Sequence, residues 1–476
     1  MGQFVTFPGE RTYRHAVFAA GVHPADLVAD PADAAPRMQP EESNAFEEGS
    51  QSSTWQVHRG EDDTAAPRQR EASGTLLCVR ERMTSPRDVL APVLFAALAV
   101  LTLADEAFPE GALAGKAVGA GLLALAASTL PRRTRLSEPG RWLLFPVIAL
   151  ALWASASGLW TVDLYATLLR SRHLGMEALL LVALTWLWTP RRAQAMGLGS
   201  ALATGILTLG FLLELAAPEG ARLRPFGVHP NLQARDIALG SLMAVLLMPR
   251  LPGWCAVLLT SVGGFGLGAS FSSGAMLAVV CACLPLLPLR RWRPATAGLL
   301  VGTLVGAAAL TVCADHVPQL RSPATALEGN AIEEIGSGRL VLWGHALRVS
   351  AAHPFVGSGA GTFPTAMEPI RVEHQRRGGE HSKPNRRAHN SFLEMLAELG
   401  PLGLLLFCLP MFWVGLRALM TRNEVAAALV VFVGVSALTD SLIQQRSLWL
   451  GLAVAALSLV RSGQQGSSQP SLPPTS

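Results

Sequence analysis

The stretch RRAHNSFLEMLAELGPLG, residues 386–403, concentrates side chains suited to chemistry. His389 is a titratable imidazole, beside the fixed cations Arg386 and Arg387 and ahead of a run carrying Glu394 and Glu398. Such a histidine can take a proton from an acceptor hydroxyl while guanidinium forks hold an anion. The same residues also suit a plainer role, a basic collar at a membrane surface with Asn390 capping the next helix. The choice depends on what else the fold brings there.

Three other polar patches are candidates. RPFGVHPNLQARD, residues 224–236, offers the cation Arg224, a helix start signal at Asn231 and an internal Arg235–Asp236 pair. SGRLVLWGHALRVSAAHPFVGSGAGTF, residues 337–363, offers Arg339 and Arg348 for bidentate phosphate contacts. Its GSGAG run lacks a preceding strand and a following Lys-Ser/Thr, so it suits a tight turn better than a nucleotide loop. Further on, Arg371, Arg376, Arg377 and Lys383 make the approach to His389 basic, as in an arm drawn to anionic headgroups. Asp163, Arg170 and Glu177 form a stripe at heptad spacing with His173 nearby, and are expected to pair with one another inside the bundle. A charge at membrane depth costs about 2.5–3.5 kcal/mol, so a substrate path is the alternative use of the stripe.

The elements that must position these groups are membrane helices. The chain has 476 residues, 50% hydrophobic and 15% charged, with a mean hydropathy of +0.36, outside the soluble globular range. From Val89 onward about twelve apolar segments are long enough to cross a hydrocarbon core of roughly 30 Å. Their centres are Phe95, Leu122, Leu150, Leu180, Leu207, Met243, Leu259, Val279, Val305, Leu404, Phe432 and Val454. Basic connections (131–141, 190–192, 249–252, 290–293 and 417–422) alternate with acidic or long ones, which puts both termini on the cytoplasmic side. Three features then share the outer face: 218–231, 270–273, and the large loop 315–389 between the ninth and tenth spans, which ends on His389. Within that loop an amphipathic helix is expected from about Gly338 to Ala352, with Leu340, Trp343, Leu347 and Val349 on its apolar face.

The expected organisation is a disordered cytoplasmic tail over 1–85, a membrane bundle over 86–314, the outer loop over 315–389, spans ten to twelve over 390–461, and a second disordered tail over 462–476. Alternatively Met83 is the true start, an idea that peptides from residues 1–70 in a mass spectrum would exclude. The net charge of +4 is small and its basic residues sit in short clusters, so no nucleic-acid partner is expected. The six cysteines show no CxxC spacing, and neither a disulfide framework nor a metal site is expected. HExxH, GxSxG, Walker A and kinase motifs are absent, which favours chemistry without metal or cofactor.

Three ordered motifs resemble the O-antigen ligase and polymerase family (Wzy_C) of bacterial envelope glycan transferases. They are RPFGVHPNLQA, GRLVLWGHALRVSAAHPFVGSGAGTF and AHNSFLEMLAELGPLG, within a resemblance running from about Trp160 to the last span. The resemblance implies a GT-C-like fold in the bacterial inner membrane with its active site on the periplasmic face. It implies an undecaprenyl-diphosphate-linked glycan as donor, and lipid A core, a lipid-linked repeat or another hydroxyl as acceptor. On this basis Arg339 would bind the donor diphosphate and His389 would serve transfer, with Asn231, Asn390 and Glu398 in support. Ser273 departs from the pattern, standing in Ser272-Ser273-Gly274 where many members have a second arginine. Arg224, Arg386 or Arg387 would then supply the missing charge. A flippase or transporter of lipid-linked glycan, or an inactive ligase-like protein, are the competing expectations.

Overall fold

A computed structural model describes residues 86–104, 111–129, 138–216, 223, 225–227, 229–312, 339–377 and 386–465. The N-terminal tail expected over 1–85 lies outside the described residues, as do Arg224, Lys383 and the first part of the large loop. All regular structure among the described residues is helical: α1 Pro86–Leu103, α2 Gly111–Thr129, α3 Glu138–Ala156, α4 Leu164–Leu187, α5 Pro190–Ala216, α6 Pro230–Leu247, α7 Gly253–Ser270, α8 Ser273–Cys283, α9 Arg293–Val312, α10 Arg339–Ala352, α11 Phe363–Arg376, α12 Ser391–Thr421, α13 Glu424–Thr439 and α14 Arg446–Gln465, with short 3-10 turns between some of them. The last helix runs on to Gln465, beyond the boundary expected at residue 461, because RSGQQ contains no helix stop strong enough to end it.

Each of the twelve expected centres falls inside a helix. Among the described residues five helical stretches are long and apolar enough to cross a membrane: Gly140–Leu159, Pro190–Ala216, Gly253–Ser270, Arg293–Val312 and Ser391–Thr421. Shorter apolar stretches lie in α1, α2, α8, α13 and α14, while α4 and α6 carry charges that lower their hydropathy. Phe145 and Leu152 on α3, Leu304 on α9 and Phe412 on α12 are more than half exposed on the outside of the bundle. In water such a surface would aggregate; in lipid it is solvated. The protein is a polytopic all-α membrane protein.

Small residues let α7 and α9 pack backbone to backbone. A Cβ added at Gly302 would sit 2.2 Å from the Ser261 carbonyl oxygen, and one at Gly264 2.3 Å from that of Leu299. This is the close approach that replaces hydrophobic driving force between helices in lipid.

The ELGPLG sequence breaks α12 at Gly400, whose φ of 68° is open to glycine. Pro401 lacks the N–H that would reach Ala397, and the break also frees the carbonyls of Glu398 and Leu399. Donors from elsewhere take up all three. Ser358 N–H reaches Ala397 at 3.0 Å and Gly359 N–H reaches Glu398 at 2.8 Å, while the Trp153 indole donates to Leu399 at 3.0 Å. The glycine-rich GSGAG turn is therefore a clasp over a helix kink, as a tight-turn reading requires. Gly359 fits only without a side chain, since its Cβ would lie 2.2 Å from the Thr161 hydroxyl.

The buried face of α10 differs from the one expected. Leu342, His345, Ala346 and Val349 are buried, whereas Leu340 and Leu347 are about half exposed. The helix docks on α11 and on the first half of α12, and their positions set which stripe is covered.

Candidate active site

Several helix ends converge on Asp440, the residue that ends α13 in extended backbone. Its Oδ1 accepts from His389 Nδ1 at 2.8 Å and from the Ser441 N–H at 2.7 Å. Its Oδ2 pairs with Arg235, which lies one and a half turns into α6, at 2.5 Å. The Ser391 hydroxyl, first in α12, donates to the Asp440 carbonyl at 2.7 Å and accepts from Leu442 N–H at 2.9 Å. Burial pulls the Asp440 carboxyl toward neutrality, but Arg235, His389 and the Ser441 N–H outweigh it and hold the group well below the usual carboxylate range. An ionised carboxylate can only accept, so the proton of neutral His389 is on Nδ1 and the lone pair on Nε2. The ring keeps 37% of its surface exposed. It is held in the left-handed region at φ 50°, a setting that costs about 1–3 kcal/mol and persists where surrounding structure imposes it.

The neighbours of His389 fix that setting. Asn390 caps α12, its Oδ1 accepting from Phe392 N–H at 3.0 Å and from Leu393 N–H at 3.1 Å, as its position suggests. Arg387 donates to Gln444 Oε1 in the loop after Asp440. Arg386 is half-buried beside it. Arg339, the first residue of α10, senses both Asp440 and Arg235; burial draws its pKa down, Asp440 opposes this and Arg235 adds to it. It remains a cation at any working pH.

Two expectations about pairing do not hold. Arg235 pairs with Asp440 rather than with Asp236, its immediate neighbour, because adjacent residues on a helix point in different directions. Arg170 pairs across to α12, at 2.9 Å from Glu394 and 3.6 Å from Glu398, while Glu177 lies 3.5 Å from Arg446 on α14 and Asp163 caps α4. Residues seven apart on one helix are about 10 Å apart along the axis, too far for contact. Glu398 also accepts from Gly361 N–H at 2.7 Å and Phe363 N–H at 3.2 Å, so it anchors the clasp, and its ion-pair partner is Arg170. Asn231 is not the cap of α6; His229 occupies that place and accepts from the Asn231 N–H at 3.3 Å.

Ser273 is exposed at the first position of α8. Gly274 beside it packs on Thr439, the residue before Asp440, where an added Cβ would lie 2.9 Å from the hydroxyl. Ser273, where the resemblance leads one to expect an arginine, thus adjoins the Asp440 cluster. Arg235, Arg339 and Arg387 supply positive charge there, and Arg224 lies outside the described residues.

A cavity of about 250 Å³ opens beside this cluster, with His173, Glu177, Asp236, Gln444, Gln445 and Arg446 in its wall. An adjoining apolar space of about 160 Å³ between α1, α2 and α4 shares Lys116, Glu177 and Arg446 with it and is otherwise lined by residues such as Leu98, Gly119, Leu123 and Leu180. Among the described residues, no three His, Cys, Asp or Glu side chains gather as a metal site. Asp440 and Gln444 escaped the sequence reading, although TDSLIQQR, a polar interruption between two apolar runs, was the signal for them.

No curated protein matches the chain. One family model does: Wzy_C, described as O-antigen ligase, matches residues 255–408. The matched segment contains Ser273, Arg339, Arg387 and His389, while Arg235, Asp440 and Gln444 complete the cluster from outside it. The family matched over residues 255–408 is the one that the three motifs resemble.

Proposed function

We propose that this protein transfers a glycan from a lipid diphosphate, of the undecaprenyl type, to a hydroxyl acceptor at the periplasmic face of the bacterial inner membrane. The observation that carries the proposal is the His389–Asp440–Arg235 chain with Arg339 and Arg387 alongside. His389 Nε2 takes the proton of the acceptor hydroxyl as its oxygen bonds to the anomeric carbon. The bond from that carbon to the diphosphate oxygen breaks, and the electron pair leaves with the diphosphate. Asp440 fixes the tautomer and faces the positive charge formed on the ring, a role carboxylates fill beside catalytic histidines. Arg339 and Arg387 offset the charge building on the leaving group. The acceptor is lipid A core in a ligase or another lipid-linked repeat in a polymerase.

Purified protein reconstituted with undecaprenyl-diphosphate glycan and each acceptor in turn tests this directly. We expect product with one acceptor, and loss of about 10²–10⁴-fold in rate for His389→Ala, the usual worth of a general base. Arg339→Ala is expected to fall at least as far. Full activity of either variant would refute the assignment.

The paired cavities favour a lipid-linked donor, with headgroup in the polar chamber and chain in the apolar annex. Gly119 has open space where a side chain would project. Gly119→Trp should fill the annex and raise KM for a long-chain donor about tenfold or more, leaving a short-chain analogue unaffected. Equal kinetics with both donors would place the chain elsewhere.

A further inference from the structure

One small core holds both candidate catalytic groups. Leu342, Ala346 and Val349 of α10 pack with Phe363 and Met367 of α11, with Ala397 of α12 and with Ala388, the residue before His389. Arg339 begins α10, so the seating of that helix sets its position too. In the same seam lies His345, 2% exposed, with neither ring nitrogen hydrogen-bonded among the described residues. A buried imidazole without partners tolerates neutrality far better than charge.

Its surroundings sharpen the point. The His374 ring of α11 stands edge-on with centroids 5.4 Å apart, and Arg348 on its own helix and Arg371 on α11 add positive charge. The core beside it takes Leu393 and Ala397 from α12, where Glu394 pairs with Arg170, and Ala388 from the 386–390 segment, where His389 bonds to Asp440. Among the described residues the charged groups that act on His345 are His374, Arg348 and Arg371, with no carboxylate among them, and Glu368 is paired with Arg371.

We propose that His345 is a positioning residue whose neutral form seats α10, making the seam an acid-sensitive latch on Arg339 and His389. The proposal rests on the transfer reading for its consequence, but not for its first test. Burial, then His374, Arg348 and Arg371, lower the His345 pKa below 6.5. The unfolded seam therefore takes up protons first as pH falls. The latch is at full strength above about 6.5 and weakens progressively below it, by up to about tenfold in the seating equilibrium per pH unit until the folded pKa is passed.

Hydrogen exchange of peptides spanning 339–352, on full-length protein in nanodiscs at pH 7.5 and 5.0, reads this without any substrate. In wild type we expect protection of α10 to drop by about tenfold or more at pH 5.0, beyond the change seen in α7. His345→Phe and His345→Gln, neither able to charge, should keep their pH 7.5 protection at pH 5.0. His345→Lys should be loose at both. The idea is overturned if the two neutral variants show the wild-type pH response, or if wild type shows none. On the activity side, the acid limb of log kcat against pH should be steeper in wild type than in His345→Gln by up to about one in slope; equal slopes would remove His345 from transfer. Absence of transfer in wild type, with the exchange response intact, would sink the transfer reading and leave the latch standing.

Discussion

Asp440→Asn is expected to lower the transfer rate by about 10³–10⁴-fold, a loss of the size seen when the carboxylate behind a catalytic histidine becomes an amide. The amide can donate to Nδ1, which would move the ring proton to Nε2 and leave the acceptor hydroxyl facing a nitrogen with no lone pair to offer. The substitution also removes the counter-charge of Arg235, buried in α6, and stripping one partner from a buried pair costs about 3–5 kcal/mol. Loss of activity alone would thus be ambiguous. The double variant Arg235→Met with Asp440→Asn removes both charges and should recover most of the melting temperature while transfer stays absent. His389→Ala added to Asp440→Asn should lower the rate little further, as expected of groups acting as one unit. Transfer within tenfold of wild type in Asp440→Asn would show that His389 works without the carboxylate.

What was legible in the sequence follows the range of each signal. Hydropathy is local, so every expected span centre falls in a helix. Asn390 was readable as a cap for the same reason, since a cap bonds to residues two and three ahead. His389 stood out by its basic neighbours. Partnership across the bundle was not readable: Arg235 meets Asp440 and Arg170 meets Glu394 over separations of more than two hundred residues, and no periodicity specifies which helices meet. Neighbours in sequence, Asp236 and the heptad mates Asp163 and Glu177, were the natural and mistaken choices. The buried face of α10 was misjudged because a helix docked on two sides covers a stripe chosen by its partners. The motifs within residues 255–408 pointed to His389 and Arg339, but Asp440 lies at a helix end outside them, and its importance depends on what folds against it.

Arg170→Met is expected to cost the protein about 3–5 kcal/mol, read as a large fall in melting temperature or failure to accumulate in the membrane. Methionine fills similar volume, so the loss is electrostatic: Glu394 and Glu398, both essentially inaccessible, would face each other without a cation. The damage should spread through Glu398, which orders Gly361 and Phe363, and from there to the clasp over the Gly400 kink and the start of α11. Adding Glu394→Gln and Glu398→Gln removes the repulsion and lets an amide keep accepting from those N–H groups, and it should restore most of the stability. That triple variant also decides what the stripe on α4 is for. Arg170 contacts neither Asp440 nor His389, so if it is structural glue the folded triple variant transfers glycan at near the wild-type rate. A stable protein that no longer transfers would instead put Arg170 on the substrate path, and the bundle interior between α4 and α12 would then belong to the active site.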